Sequence, residues 1–361
     1  MQPWSGHPAD RPGLGMVRTF TFTFNPFDLM RRALLVLLLG VCTALATAQL
    51  AHAQAQTMER SLSEWLLRMH EASGRSNYMG TIVVSAGGQL ASSRIWHACD
   101  GEQQIERVDS LSGTPRSTFR RGAEVVTFLP QAHAVVAEER DSLAYFPHLL
   151  KQPHSDLERF YGVRLDEGKR VAGFDTDQLH LYPRDNQRYG YRIWSERKSG
   201  LVVKLQIVSA DEQVLEQTAF SELQLDAPVS IRQIARMMGN TQGYKIERPV
   251  LTKTSLDAEG WHLTIPAPGF RTMGCFRRTV AFNIRPEPVL QCTFTDGLAS
   301  VSLFLETFDP RLHLGESQMA LGATQTLTRR LAKRDRIWWL TAVGEVPPLT
   351  LAAFARALER K

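Results

Sequence analysis

The chain has 361 residues, enough for roughly two domains at ~150 residues each. Hydrophobic residues make up 43% and charged residues 22%, a balance that excludes wholesale disorder, a collagen-like chain and a multi-spanning membrane protein. A formal charge of +5 is too mild for a nucleic-acid footprint, and four cysteines are too few for a disulfide-built scaffold.

Residues 33–46 read ALLVLLLGVCTALA and follow Arg31 and Arg32. The run is ~14 residues long, short of the ~20 that a spanning helix needs. Small residues at alternate positions follow it, Ala46-Thr47-Ala48 and Ala51-His52-Ala53. Positive start, short apolar middle and A-x-A exit predict a secretory signal peptide within residues 1–53; the other reading is an uncleaved anchor helix. Cys42 lies behind Val41 rather than a small residue, so lipidation is not expected. The Pro- and Gly-rich stretch before Met30 is foreign to a signal peptide, which makes Met30, or else Met16, the expected start. Cleavage after Ala53 removes four arginines and two aspartates and leaves Cys99, Cys275 and Cys292. The expected compartment is the periplasm or the exterior, where disulfides form.

An amphipathic helix opens the remaining chain, with Leu62, Trp65, Leu66 and Met69 at i, i+3, i+4, i+7, Ser61 or Ser63 as N-cap and Gly74 as a stop. Short strands follow at residues 78–85, 92–98, 104–109, 116–120, 124–129 and 134–138, then a helical patch at 155–161. Strands resume at 169–172, 176–182, 189–195, 202–209 and 214–224. Their steady spacing and tight turns argue for an antiparallel meander in a sheet that curls into a barrel or half-barrel. The texture changes at residues 226–242, which hold Pro228, a short helix at 231–238 and a Gly-rich exit. This segment is expected to link a first domain, 54–225, to a smaller one, 243–361. The smaller domain has strands at 250–255, 261–265, 275–284, 289–295, 299–307, 325–332 and 336–343. A terminal helix, 350–358, is capped by Thr350. The fold class is β-rich α+β. Cys275 and Cys292 flank two β-like runs joined by a turn at 285–288, so they are expected to bridge across a hairpin; the alternative is two buried thiols.

Catalytic spacings are absent: no H-E-x-x-H, C-x-x-C, P-loop, G-x-G-x-x-G after a strand or G-x-S-x-G occurs. No enzyme activity, metal or cofactor is expected. Two features remain. Trp65, Trp96, Phe119, Phe128, Tyr145 and Phe146 belong to an aromatic-rich first domain and either line an apolar cavity for lipid or fill a core. In residues 182–194, YPRDNQRYGYRIW, Arg184 and Arg188 interleave with Tyr189, Tyr191 and Trp194. These residue types are enriched in binding hot spots and pair with carboxylates or phosphates, so the segment is either a partner surface or a solvated hairpin.

This segment, LYPRDNQRYGYRIW with SGLVVK after it, joins a set of matching pieces: WLLRMHEAS, NYMGTIV, VLEQTAF, PGF at 268–270, DGLASVSLFLE at 296–306 and TAVGEVPPLTL at 341–351. In their order and spacing the chain resembles the MucB/RseB family, periplasmic negative regulators of the sigma-E envelope-stress response. The resemblance implies an N-terminal half-open β-barrel of the LolA/LolB type plugged by helices, a linker and a smaller β-rich C-terminal domain. It implies a protein that binds the periplasmic region of a membrane anti-sigma factor, shields it from site-1 proteolysis and is released by lipid or lipopolysaccharide. Nucleic acid is not an expected partner, and a homo-oligomer stays open. The alternative is a periplasmic lipid or lipoprotein carrier without a regulatory role. Residues before Met30 and residues 112–121 depart from the family pattern.

Overall fold

The structure, a computed structural model, describes residues 61–139, 146, 156–166, 168–279, 287–333 and 336–361. The expected signal peptide, Met30, Cys42 and Tyr145 lie outside them. Among the described residues no helix is long and apolar enough to cross a membrane.

The first helix, α1 (Leu62–Arg75), starts on a reciprocal cap: Ser61 Oγ accepts from Glu64 N, and the Glu64 carboxylate accepts from Ser61 N. Six strands follow: β1 (Tyr78–Ala86), β2 (Gln89–Cys99), β3 (Gln104–Ser110), β4 (Ser117–Arg121), β5 (Glu124–Leu129) and β6 (Ala134–Glu139). After the one-turn α2 (Leu157–Phe160) come β7 (Tyr161–Asp166), β8 (Thr176–Pro183), β9 (Gly190–Glu196), β10 (Val202–Val208) and β11 (Val214–Leu225), then α3 (Ile231–Gly239) and β12 (Lys245–Glu247). All twelve strands form one sheet in the order β12-β6-β5-β4-β3-β2-β1-β11-β10-β9-β8-β7. Its two ends do not pair with each other, so the barrel is open. Strand β11 carries a bulge opposite Thr81 and Ile82. Gly80 sits beside it, where a Cβ would lie 2.4 Å from Glu222 O.

Register fixes which face each residue serves. Leu165, Leu179, Ile193, Leu205 and Thr218 form one cross-strand row. The same face continues through Val84, Ile82 and Ile95. Helix α1 covers it, burying Leu62, Trp65, Leu66 and Met69 among Leu179, Leu181, Tyr191 and Ile193. Trp96, Arg107, Phe119, Val126 and Ala137 form a second row on the opposite face. There α3 buries Ile234 and Met238 against Phe119, Val126 and Phe128. The expected linker, 226–242, therefore contains a docked helix. Strand β12 then pairs in parallel with β6, and the chain crosses to the second sheet through Arg248, Pro249 and Val250 alone.

The second part comprises β13 (Leu251–Thr254), β14 (Trp261–Leu263), β15 (Arg271–Arg278), β16 (Val289–Thr295), β17 (Ser300–Thr307), β18 (Ser317–Leu321), β19 (Thr324–Lys333), β20 (Arg336–Gly344), α4 (Pro348–Ala357) and β21 (Leu358–Arg360). Seven of these strands form a sheet in the order β13-β15-β16-β17-β20-β19-β18, and β14 pairs with β21. One sheet face packs on α4: Cys292, Phe294, Leu303, Leu305 and Ala342 meet Leu351 and Phe354. Cys275 and Cys292 are direct cross-strand partners, inward-facing and disulfide-bonded. The sequence reading placed a strand at 169–172; the structure has only an isolated bridge there, Val171 to Phe174. Strands β7, β12, β18 and β21 are additional. Thr350 does not cap α4, which starts earlier behind Pro347; its hydroxyl donates instead to Gln187 O, 3.0 Å away in the β8–β9 turn.

Candidate functional site

The two sheets meet along a seam centred on Arg188. Its side chain has no solvent exposure, because the β8–β9 turn folds it under the first sheet toward the second. The Nε donates to Asp296 Oδ2 at 2.7 Å, Nη1 donates to Asp185, and Nη2 donates to the Pro268 carbonyl. The guanidinium lies 4.5 Å from the Phe160 ring centroid and 5.3 Å from that of Phe270. Asp296, equally buried, accepts from Tyr161 OH at 3.1 Å and from the amides of Leu298 and Ala299 at 2.9 and 2.8 Å. A buried charge is tolerated only when paired and hydrogen-bonded, and this pair meets both conditions. Burial pushes the Tyr161 and Tyr191 phenols well above their usual range, and the negative charge of Asp296 adds to the effect.

Around this ion pair the parts interlock. Gln325 Nε2 donates to Tyr189 OH at 3.4 Å. Ala323, fully buried, and Leu298 enter the hydrophobic cluster beneath α1. Gly269, at φ +83, leaves room for the Phe160 ring; a Cβ there would approach it to 2.4 Å. Arg278 on β15 reaches Glu138 on β6 at 3.4 Å.

Beside Arg278 the seam opens into a cavity of about 510 Å³, lined among others by Glu138, Phe276, Arg278, Gln291, Phe304 and Glu345. These residues come from β6 and from the sheet face that α4 does not cover. The disulfide lies next to it: Cys275 and Cys292 point into the core, so Phe276 and Gln291 point out. Apolar rings beside both signs of charge suit a peptide segment with mixed side chains. Among the described residues no group of three or more His, Cys, Asp or Glu gathers as a metal site.

Comparison with known proteins accounts for both sheets. The family model "MucB/RseB N-terminal domain" matches residues 61–238, and "MucB/RseB C-terminal domain" matches residues 255–359. The chain belongs to the MucB/RseB family. Among curated relatives of this MucB/RseB protein, the sigma factor AlgU regulatory protein MucB of Pseudomonas aeruginosa is 30% identical over 88% of this chain and 94% of its own length. The sigma-E factor regulatory protein RseB of Escherichia coli K12 is 22% identical over 81% and 89%. The crystal structure of MucB in complex with MucA(peri) superposes with a TM-score of 0.64 at 27% identity, covering 83% of this chain and 99% of the other. These relatives are regulators, not enzymes.

In this MucB/RseB chain the described residues of the expected cavity are divided between the two faces of the first sheet, and most of the expected partner residues lie inside the fold. Trp65 is core under α1, and Phe146 packs on the same face, 5.3 Å from Phe220. Trp96, Phe119 and Phe128 lie on the opposite face with α3. Neighbouring residues of a strand point to opposite faces, so Trp96, Phe119 and Phe128 are set apart from Trp65 and Phe146 by the sheet itself. The residues of the expected partner surface lie as follows. Arg188, Tyr189, Tyr191 and Trp194 are buried, Trp194 under the Lys204 ammonium at 4.5 Å from its ring. Arg184 alone of the five is exposed, with Nε donating to Glu158 O at 3.1 Å. Sequence reasoning missed Asp296, Phe160, Phe270 and Glu345. The Asp-Gly pair at 296–297 before an apolar strand was the one available signal, and it marks a turn rather than an ion pair.

Proposed function

We propose that this protein acts in the periplasm, where it binds the periplasmic region of a membrane anti-sigma factor, shields it from site-1 proteolysis and lets go when lipid or lipopolysaccharide binds. One observation supports the reading most: the seam joins two sheets beside an open, chemically mixed cavity, on a chain similar along nearly its whole folded length to the MucB solved with MucA(peri). The cavity face offers a segment of the anti-sigma factor the rings of Phe276 and Phe304, the Gln291 amide and the charges of Arg278 and Glu138. A ligand releases such a partner only by binding the free form more tightly than the complex. Apolar side chains around Phe146, Phe174 and Phe220 on the α1 face are the acyl-chain contacts.

The test is titration calorimetry of the mature chain against the purified periplasmic region of its own organism's anti-sigma factor. Micromolar or tighter binding is expected, with the Phe304→Ala and Arg278→Glu variants at least about tenfold weaker, each tenfold being about 1.4 kcal/mol. Addition of lipopolysaccharide should lower the apparent affinity. Lipid uptake by the same preparation with no partner binding would replace this reading with a carrier.

A further inference from the structure

The loop between β17 and β18, residues 308–316, is built around an inward-turned histidine. Asp309 starts it. Its backbone carbonyl accepts from the amides of Leu312 and His313 at 3.1 and 2.9 Å. Its carboxylate accepts from Arg311 N at 2.9 Å and from the Arg311 guanidinium at 3.2 and 2.9 Å. His313 Nδ1 accepts from Asp309 N at 2.9 Å, and Nε2 faces Glu306 Oε1 at 3.3 Å. The His313 ring stacks on Trp339 of β20 with centroids 4.6 Å apart, and on Phe308 at 5.5 Å. Phe308 N donates to Ile337 O at 3.1 Å, which ties the loop to the start of β20.

With His313 turned in, its neighbours are turned out. Leu314 is 92% exposed and Leu312 51%. Ile337, 44% exposed, shares a strand face with Trp339, the residue on which His313 lies. Single exposed apolar side chains are ordinary, but three on one anchored loop and the strand end beside it make a patch. Arginines frame it. Arg311 has a side chain 86% exposed; Arg330 stands opposite Trp339 in the register and over the Phe308 ring at 5.4 Å; exposed Arg336 precedes Ile337. The described carboxylates here serve the loop itself: Glu306 faces His313, Asp309 holds Arg311, and Glu316 accepts from Arg330 N at 2.9 Å.

We propose that this patch docks on the anionic surface of a phospholipid bilayer, with Leu312, Leu314 and Ile337 entering the headgroup–acyl boundary and Arg311, Arg330 and Arg336 meeting lipid phosphates. Cations beside aliphatic side chains are the pairing that holds interfacial segments at a bilayer. The charge is complementary: each basic residue near an acidic lipid surface is worth about fivefold in partition. The arginine fork matches a phosphate oxygen pair. A leucine 92% exposed on an anchored turn stands above its surroundings, a shape suited to a yielding lipid phase. Three aliphatic side chains give reversible docking, not an anchor. None of these residues lines the cavity beside Arg278, so the proposal stands whichever partner fills that cavity.

Flotation of the full mature chain with vesicles tests this, using equal parts of phosphatidylglycerol and phosphatidylcholine beside phosphatidylcholine alone. Binding to the acidic vesicles is expected to be at least about tenfold tighter. The difference should shrink at about 1 M salt, where the screening length falls to about 3 Å. Leu312→Ser/Leu314→Ser and, separately, Arg330→Glu/Arg336→Glu should each weaken binding to acidic vesicles by at least about tenfold. Leu90→Ser, at a position 73% exposed on the first sheet, should bind as the parent does. A parent indifferent to phosphatidylglycerol overturns the proposal, and so does binding that survives both double variants or falls equally in Leu90→Ser. If the arginine pair does not fold, the leucine pair decides, and if neither folds, the parent's lipid preference does. If the parent floats with neither vesicle and the leucine pair instead weakens the anti-sigma periplasmic region in calorimetry, the loop is a protein contact and the proposal fails. Calorimetry of the partner uses no vesicles, so either reading can fail without the other.

Discussion

Arg188 shows how one side chain changes meaning when its surroundings are known. Between Tyr182 and Trp194 it reads as one of several arginines among aromatic rings, a pattern shared by binding surfaces and solvated hairpins. Its burial is set by Asp296, 108 residues later in the chain, and by the Pro268 carbonyl, neither of which local pattern can supply. Removing one member of a buried pair leaves the other charged and dry. Arg188→Met should therefore cost about 3–5 kcal/mol in denaturant unfolding, and Asp296→Asn a similar amount. The double variant Arg188→Met/Asp296→Leu should recover part of that loss, because an apolar pair no longer buries an unpaired charge. Arg188→Lys keeps the charge but loses the fork that reaches Asp296, Asp185 and Pro268 at once, so it should not rescue fully.

Among elements, those that speak through local pattern were legible and those defined by distant partners were not. Helix α1 follows from Leu62, Trp65, Leu66 and Met69 and from the Ser61 cap, and β5 begins and ends where its apolar run does. The hairpins from β8 to β11 follow from their turn residues. Strand β7 was hidden because Tyr161–Asp166 contains Gly162, Arg164 and Asp166, and pairing with β8 rather than composition makes it a strand. Strand β18 is likewise defined by β19, with every residue exposed. For α3 the helix was legible but not its docking, since Ile234 and Met238 signal an apolar stripe without saying what covers it. Ile234→Ala should cost about 2–5 kcal/mol, a core value and not the near-zero value of a linker position, measured by urea unfolding. The Cys275–Cys292 link, closing a separation of 17 residues, gives a second check: replacing both by serine should cost about 3 kcal/mol, lost equally when the parent is reduced.

At the scale of the whole molecule, the seam gives the second sheet a purpose that a lipid carrier would not need. The sheets are joined covalently by three residues, so their mutual placement rests on side chains: the Arg188 ion pair, the Phe160 and Phe270 rings, and the β18–β19 turn seated on β11. If partner binding uses the cavity between sheets, altering that placement should weaken binding without touching a lining residue. Gly269→Ala is the sharpest probe. It strains a backbone at φ +83 and drives a methyl into the Phe160 ring that covers Arg188, at a combined cost of about 1–3 kcal/mol. The variant should keep its circular dichroism and disulfide, lose a few degrees of Tm, and bind the anti-sigma periplasmic region several-fold more weakly. Its X-ray scattering should show a larger radius of gyration as the sheets part. A lowered Tm with unchanged affinity would mean that the partner holds one sheet only, and the seam would then serve stability rather than recognition.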